Sequence, residues 1–132
     1  MIKYMLDTNI AIYVIKHKPI HVLNQFNRHA NQMCLSMMSV SELLHGAEKS
    51  QFPEKTLQTV EDFISRLAIL DYDYAAASQY GDIRAKLERK GTPIGVNDMH
   101  IAAHARSCGL ILVTNNMREF ERVEGLRIEN WF

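Results

Sequence analysis

The feature that most narrows the fold of this chain is a set of short, mainly apolar runs set between stretches of helical spacing. The runs are Ile2 to Leu6, Met33 to Ser36, Ala68 to Leu70, Leu110 to Val113 and Leu126 to Ile128. Each is too short for a stable helix, and the central ones, Met33 to Leu35, Ala68 to Leu70 and Leu110 to Val113, are continuous rather than alternating. Strands covered on both faces read this way, whereas a half-exposed sheet would alternate. Helical signals fill the gaps. Ile10, Ile12, Val14 and Ile15 predict a short helix, and Pro19 opens a second that runs to about His29. Ser39-Val40-Ser41-Glu42 has the S-x-x-E form of a capping box, with a helix continuing to about Lys49. Pro53 opens another helix, and Asp73 caps a long one that Gly91 ends. Asn97-Asp98 starts a helix over Met99 to Ser107, terminated by Gly109, and a short helix covers Met117 to Arg122. Strands alternating with helices predict an α/β fold, a parallel β-sheet flanked by helices on both faces. Ligands of such sheets bind outside the carboxyl ends of the strands.

Length and composition bound the rest. The 132 residues, 47% hydrophobic and 23% charged, fit one domain over 1–132 and exclude a disordered or collagenous chain. No run approaches the ~20 apolar residues of a membrane helix, and the N-terminus lacks a signal-peptide layout. Cys34 and Cys108 lie far apart with no CxxC, so a reducing cytoplasm is the simpler expectation. Fifteen basic and fifteen acidic residues cancel. Charge balance therefore offers no general argument for a nucleic-acid partner, and binding must be argued from local sites.

The strand order in the chain puts several polar groups at one edge. Asp7-Thr8-Asn9 follows the first strand, Glu42 lies near the start of the helix after the second, and Thr114-Asn115-Asn116 follows the Leu110 run. Asp98 opens a helix that feeds this last strand, and strand logic alone leaves its edge open. Each acid also has a local explanation: Asp7 as a helix cap, Glu42 as a capping-box member, Asp98 as a favourable charge at a helix start. Together they mean more. Carboxylates within about 5 Å repel by roughly 3 kcal/mol per pair at an effective dielectric near 20. A fold holds them only by taking up protons or binding a cation, and oxygen-rich sites suit hard cations such as Mg²⁺.

These residues resemble the motifs of a known family. Met5-Leu6-Asp7-Thr8-Asn9, Ser39-Val40-Ser41-Glu42-Leu43 and Gly95-Val96-Asn97-Asp98 with Ile101-Ala102-Ala103 are similar to the three acidic motifs of PIN-domain nucleases. Val113-Thr114-Asn115-Asn116 with Glu119-Phe120 is similar to the fourth. The whole length matches in order and spacing, and VapC toxins of type II toxin–antitoxin pairs are the nearest resemblance. It implies a PIN-like α/β/α sandwich with its acids converging, acting as a Mg²⁺- or Mn²⁺-dependent endoribonuclease. Asp7 and Asp98 would ligate the metal, and Glu42 would do so directly or through water. Glu119 would join Asp7, Glu42 and Asp98 as a catalytic acid, because Asn116 stands where many relatives carry Asp. Thr8, Asn9, Thr114 and Asn116 would support the site. The resemblance also implies tRNA as substrate, initiator-tRNA anticodon stem-loops in particular, together with a homodimer and a VapB-like antitoxin. The alternative is a non-catalytic binding module in an antitoxin repressor complex, with the acids capping helices.

Other patterns are weaker. His100 and His104 have a zinc-like i,i+4 spacing, but Ile101 replaces the Glu of HExxH. About 200° and 240° of helical turn point them away from Asp98. Glu42-Leu43-Leu44-His45 has the E-x-x-H form of di-iron bundles, with no second motif to complete it. Arg84, Lys86, Arg89 and Lys90 form the densest basic cluster, either a solvated helix face or a contact for RNA phosphates.

Overall fold

The computed structural model describes residues 1–132. Five strands form one sheet: β1 (Tyr4–Leu6), β2 (Met33–Ser36), β3 (Ala68–Leu70), β4 (Ile111–Val113) and β5 (Ile128–Glu129). Their order is β3-β2-β1-β4-β5, and every pairing is parallel. Seven helices connect them: α1 (Thr8–Lys16), α2 (Ile20–Arg28), α3 (Met37–Glu48), α4 (Pro53–Ile64), α5 (Tyr74–Lys90), α6 (Val96–Ser107) and α7 (Met117–Phe120).

The apolar runs have the expected cause. Successive side chains of a strand point to opposite faces. Tyr4, Leu6, Met33, Leu35 and Val113 enter a core shared with α1 to α4. Met5, Cys34 and Leu112 enter a second core, shared with α5, α6 and α7. Both faces are covered, so both sets of positions must be apolar. The parallel sheet between two helical layers predicted from the runs is the fold observed.

Boundaries shift where pairing, rather than hydrophobicity, decides. β1 starts at Tyr4 instead of Ile2, β4 at Ile111 instead of Leu110, and β5 covers Ile128–Glu129 instead of Leu126 to Ile128. The predicted capping box is absent. α3 begins one turn earlier, with Ser36 as its cap accepting from the Met38 N–H at 3.1 Å. Glu42 is thus in the second turn of α3, not at its start. Pro19 precedes α2 as its cap rather than entering the first turn. Asp73 does cap α5, accepting from the Ala76 N–H at 3.0 Å. Gly109, at φ +66°, turns the chain out of α6. The turn closes with Gly109 N–H on Arg106 O and Leu110 N–H on Ala105 O.

Strand order reverses direction at β1, which has β2 on one side and β4 on the other. The crevice at such a point opens beyond the carboxyl ends of the two diverging strands. Asp7 follows β1 there and Thr114 follows β4, with the Asp7 N–H donating to Val113 O at 2.8 Å.

Candidate active site

Asp7 occupies the cap position of α1, yet its side chain makes no cap hydrogen bond. The capping explanation therefore fails for this residue. Its carboxylate is buried, with the residue 3% exposed, and Oδ2 accepts from Thr114 Oγ1 at 2.8 Å. The same hydroxyl accepts from the Asn116 N–H at 3.0 Å, which orients its proton toward Asp7. Burial pushes the Asp7 pKa up, the bonds from Thr114 and the Thr8 N–H oppose it, and Glu42 and Glu119 add to the rise.

Glu42 is held from two other elements. Thr8 Oγ1, on α1, donates to Oε1 at 2.6 Å and lies 3.1 Å from Ser39 Oγ. Asn97 Nδ2, on α6, donates to Oε2 at 3.3 Å. Glu119, on α7, accepts from the Gly95 N–H at 2.9 Å and from Asn116 Nδ2 at 2.6 Å. Asn116 thus positions an acid in a place where an acid of its own was a candidate.

Asp98 is the third residue of α6. Its pKa is pushed up to about 7, by burial first, then by a hydrogen bond with Glu119 and by the charges of Asp7, Glu119 and Glu42. Glu119 moves the other way. Burial raises its pKa, but the Gly95 N–H, Asp98, Asn116 and Arg122 together bring it below the ordinary value. Of the pair, Asp98 is the acid that takes up a proton more readily and Glu119 the one that keeps its charge. Gly95 lies beneath both: a Cβ there would come within 3.3 Å of Asp98 Oδ2 and 3.8 Å of Glu119 Oε1.

Asp7, Glu42 and Asp98 open into one cavity of about 340 Å³, with Thr8, Asn9, Asn97, His45 and Lys49 also on its walls. The edge that strand logic left open for Asp98 is this one, because α6 starts beside the end of β1 and against Glu42 of α3. The five ion pairs of the molecule include none of Asp7, Glu42, Asp98 or Glu119. No three His, Cys, Asp or Glu side chains form a ready chelate. The donor set still fits a hard divalent cation, which typically takes one or two carboxylates and keeps its waters. The acids offer oxygen, and none of them is neutralised by an ion pair.

The other sequence candidates lie elsewhere. His104 is buried with Nδ1 2.7 Å from Ser36 Oγ, and His100 stacks on Tyr80 at 4.0 Å between centroids. Both are packing histidines that face away from Asp98. In the basic cluster, Arg84 pairs with Glu88, Lys86 with Asp82 and Lys90 with Glu124, at 3.3, 3.2 and 2.7 Å. Only Arg89 is outside an ion pair. Sequence reasoning missed Asn97 and Ser39 as partners of the acid site, although both stand inside the acidic motifs. It also missed Lys49, whose signal is its place seven residues after Glu42 on one helix.

A carboxylate-lined crevice at the switch point of a parallel sheet is the arrangement of a nuclease-type α/β domain, and the comparisons with known proteins give the family. The PIN domain model matches residues 4–126. The chain belongs to the PIN-domain family. "Ribonuclease VapC2" of Haemophilus influenzae is 60% identical over 131 residues, 99% of each chain. "tRNA(fMet)-specific endonuclease VapC" of Shigella flexneri is 57% identical over 131 residues, again 99% of each. The crystal structure of DNA-bound VapBC from Salmonella typhimurium superposes with a TM-score of 0.96 at 56% identity, covering all of both chains.

Proposed function

We infer that this chain is the toxin of a VapBC-type toxin–antitoxin pair, a metal-dependent endoribonuclease that cuts tRNA. One observation carries the chemistry: four acids, Asp7 at the end of β1 and Glu42, Asp98 and Glu119 on α3, α6 and α7, meet at one edge with none of them in an ion pair. The relatives' names supply the substrate class, with initiator tRNA the leading choice. The solved VapBC complexes supply the partner, a VapB-like antitoxin, and a homodimer is the expected assembly. The cytoplasm, where tRNA is found, is the proposed place of action, and no helix is long and apolar enough to cross a membrane.

Asp7 and Asp98 would hold Mg²⁺ or Mn²⁺, with Glu42 ligating directly or through water and Glu119 beside them. The bound cation would acidify a water and stabilise charge on the scissile phosphate. The chain's own groups do the positioning. Thr114 fixes the face that Asp7 presents, and Thr8 and Asn97 fix both oxygens of Glu42. Asn116 and the Gly95 N–H hold Glu119 beside Asp98. A carboxylate not committed to the metal orients the attacking water. Water oxygen bonds to phosphorus, the bond to the 3′ oxygen breaks, and that oxygen takes up a proton. The products are a 5′-phosphate and a 3′-hydroxyl.

The test is cleavage of total cellular RNA with Mg²⁺ and with EDTA, followed by sequencing and end analysis. Metal-dependent tRNA fragments bearing 5′-phosphates are expected. Cyclic-phosphate ends that persist in EDTA would replace this mechanism with attack by the 2′-hydroxyl. Full toxicity of Asp7→Asn would favour the non-catalytic binding module.

A further inference from the structure

The acids explain one wall of the cavity and leave its flank unexplained. α3 presents Glu42, His45, Gly46 and Lys49 along one face, at i, i+3, i+4 and i+7, and all four line the acid cavity. A second cavity of about 320 Å³ adjoins it and shares Ile12, Glu42 and Gly46 with it. Its walls are largely apolar, from Ile15, Leu43 and Val60, with Lys16 at the rim. Gly46 is therefore the floor that joins the two. Glycine inside a helix costs about 1 kcal/mol against alanine. A Cβ at Gly46 would meet nothing within 4 Å, so packing does not require the glycine. What its missing side chain provides is an open passage between the cavities.

Lys16 and Lys49 are exposed, and neither belongs to any of the five ion pairs. Each sits at a helix C-terminus, of α1 and α3, where a cation is favoured by the helix dipole alone. Both nevertheless face the same groove. The resulting pattern is acids at one end, two uncommitted ammonium groups along the side, and an apolar recess beyond. It complements a polyanion whose reacting phosphate lies over the acids, with neighbouring phosphates and a base further along.

We propose that the groove running from the acid cavity across Gly46 into the apolar recess is the track for single-stranded RNA beside the cut. Lys16 and Lys49, with His45 as a further N–H donor, hold flanking phosphates, and the recess takes the adjoining base. The proposal rests on the ribonuclease reading of the acid cavity. It assigns phosphate binding to α1 and α3 rather than to the paired lysines of α5.

Cleavage kinetics on an initiator-tRNA anticodon stem-loop test it, with wild type beside Lys16→Ala/Lys49→Ala, Gly46→Leu and Lys86→Ala/Lys90→Ala. The first double variant should raise KM about tenfold at about 150 mM salt, with kcat within about twofold. The slope of log kcat/KM against log salt should flatten by about 1.4, or 0.7 per lost phosphate contact. A helix-dipole role would change the Tm and leave that slope alone. Gly46→Leu should raise KM while the Tm holds or rises, since leucine is the better helix former. Flattening confined to Lys86→Ala/Lys90→Ala overturns the proposal. So does an unchanged KM in Gly46→Leu accompanied by weaker antitoxin binding, which makes the groove a peptide site. A wild-type chain that cuts no RNA removes the ribonuclease reading itself.

Discussion

Two acidic regions of this molecule have opposite electrostatics. On α5, Asp82 lies between Lys86 and Arg106, at 3.2 and 2.6 Å, and Glu124 pairs with Lys90 at 2.7 Å. Hydrogen bonds and charge from these cations hold both acids below their ordinary pKa values. At the carboxyl edge of the sheet, Asp7 and Asp98 are shifted upward by burial and by one another's neighbours. The first region is complete in its own chain. In the second, none of the four acids is in an ion pair, and burial and mutual repulsion favour protonation of Asp7 and Asp98. The difference shows that the count of acids matters less than whether the fold brings them a counter-charge. An acid cluster without one has an outstanding electrostatic need that a divalent cation can meet.

The widest separation between the regions should be in catalysis. Asp7→Asn should lower the rate of RNA cleavage at least about 100-fold, while Asp82→Asn stays within about twofold. Comparable losses in both would erase the distinction drawn here. A smaller effect is expected one bond away. Thr114→Val removes the only side-chain hydroxyl on Asp7 and should cost about 10- to 100-fold in metal affinity or activity. Titrating Mg²⁺ in the cleavage assay would show this as a higher metal requirement rather than a fixed loss.

The smallest effect sharpens the comparison through pH. Asp98 has a folded pKa of about 7 against an ordinary 3.8, so the native state binds more protons in between. Its contribution to stability is full below about 4 and is lost as the pH rises through about 7. The raised Asp7 carboxyl acts in the same direction. Glu119, being lowered, acts oppositely, but only as the pH falls through its own range below 4.5. The metal-free Tm should therefore fall by roughly 5 °C between about pH 5 and pH 8. Asp98→Asn should flatten that slope, and Mg²⁺ should restore the Tm at the high end. Asp82→Asn should leave the slope in place. Calorimetry in EDTA and in Mg²⁺ checks all three curves.

Much of the fold was legible because its signals are local. β2 and β3 have the ends that their apolar runs predict, α4 starts at Pro53 as expected, and Asp73 caps α5 as its position implies. The misreadings share one cause. Ser39 and Glu42 satisfy the chemistry of a capping box, but Ser36 does the capping, because β2 pairs with β3 up to Ser36↔Leu70 and α3 leaves directly from there. Asp7 satisfies the chemistry of a helix cap, yet its side chain turns to Thr114, a residue 107 positions away. The edge reached by Asp98 was open in the sequence, because it depends on how α6 packs between the sheet and α5.

The sequence by itself determined the layers. Apolar runs, caps and breakers act over a few neighbouring residues, and they specify which segments become strands and helices and that both sheet faces must be covered. Only the tertiary structure decided which charges meet. Burial and Coulomb interaction depend on separation in space, and the same Asp or Glu on a helix is a surface ion-pair member beside Arg106 or an acid with a raised pKa beside Glu119. The reason for the difference is the environment that the packed chain places around each carboxyl group.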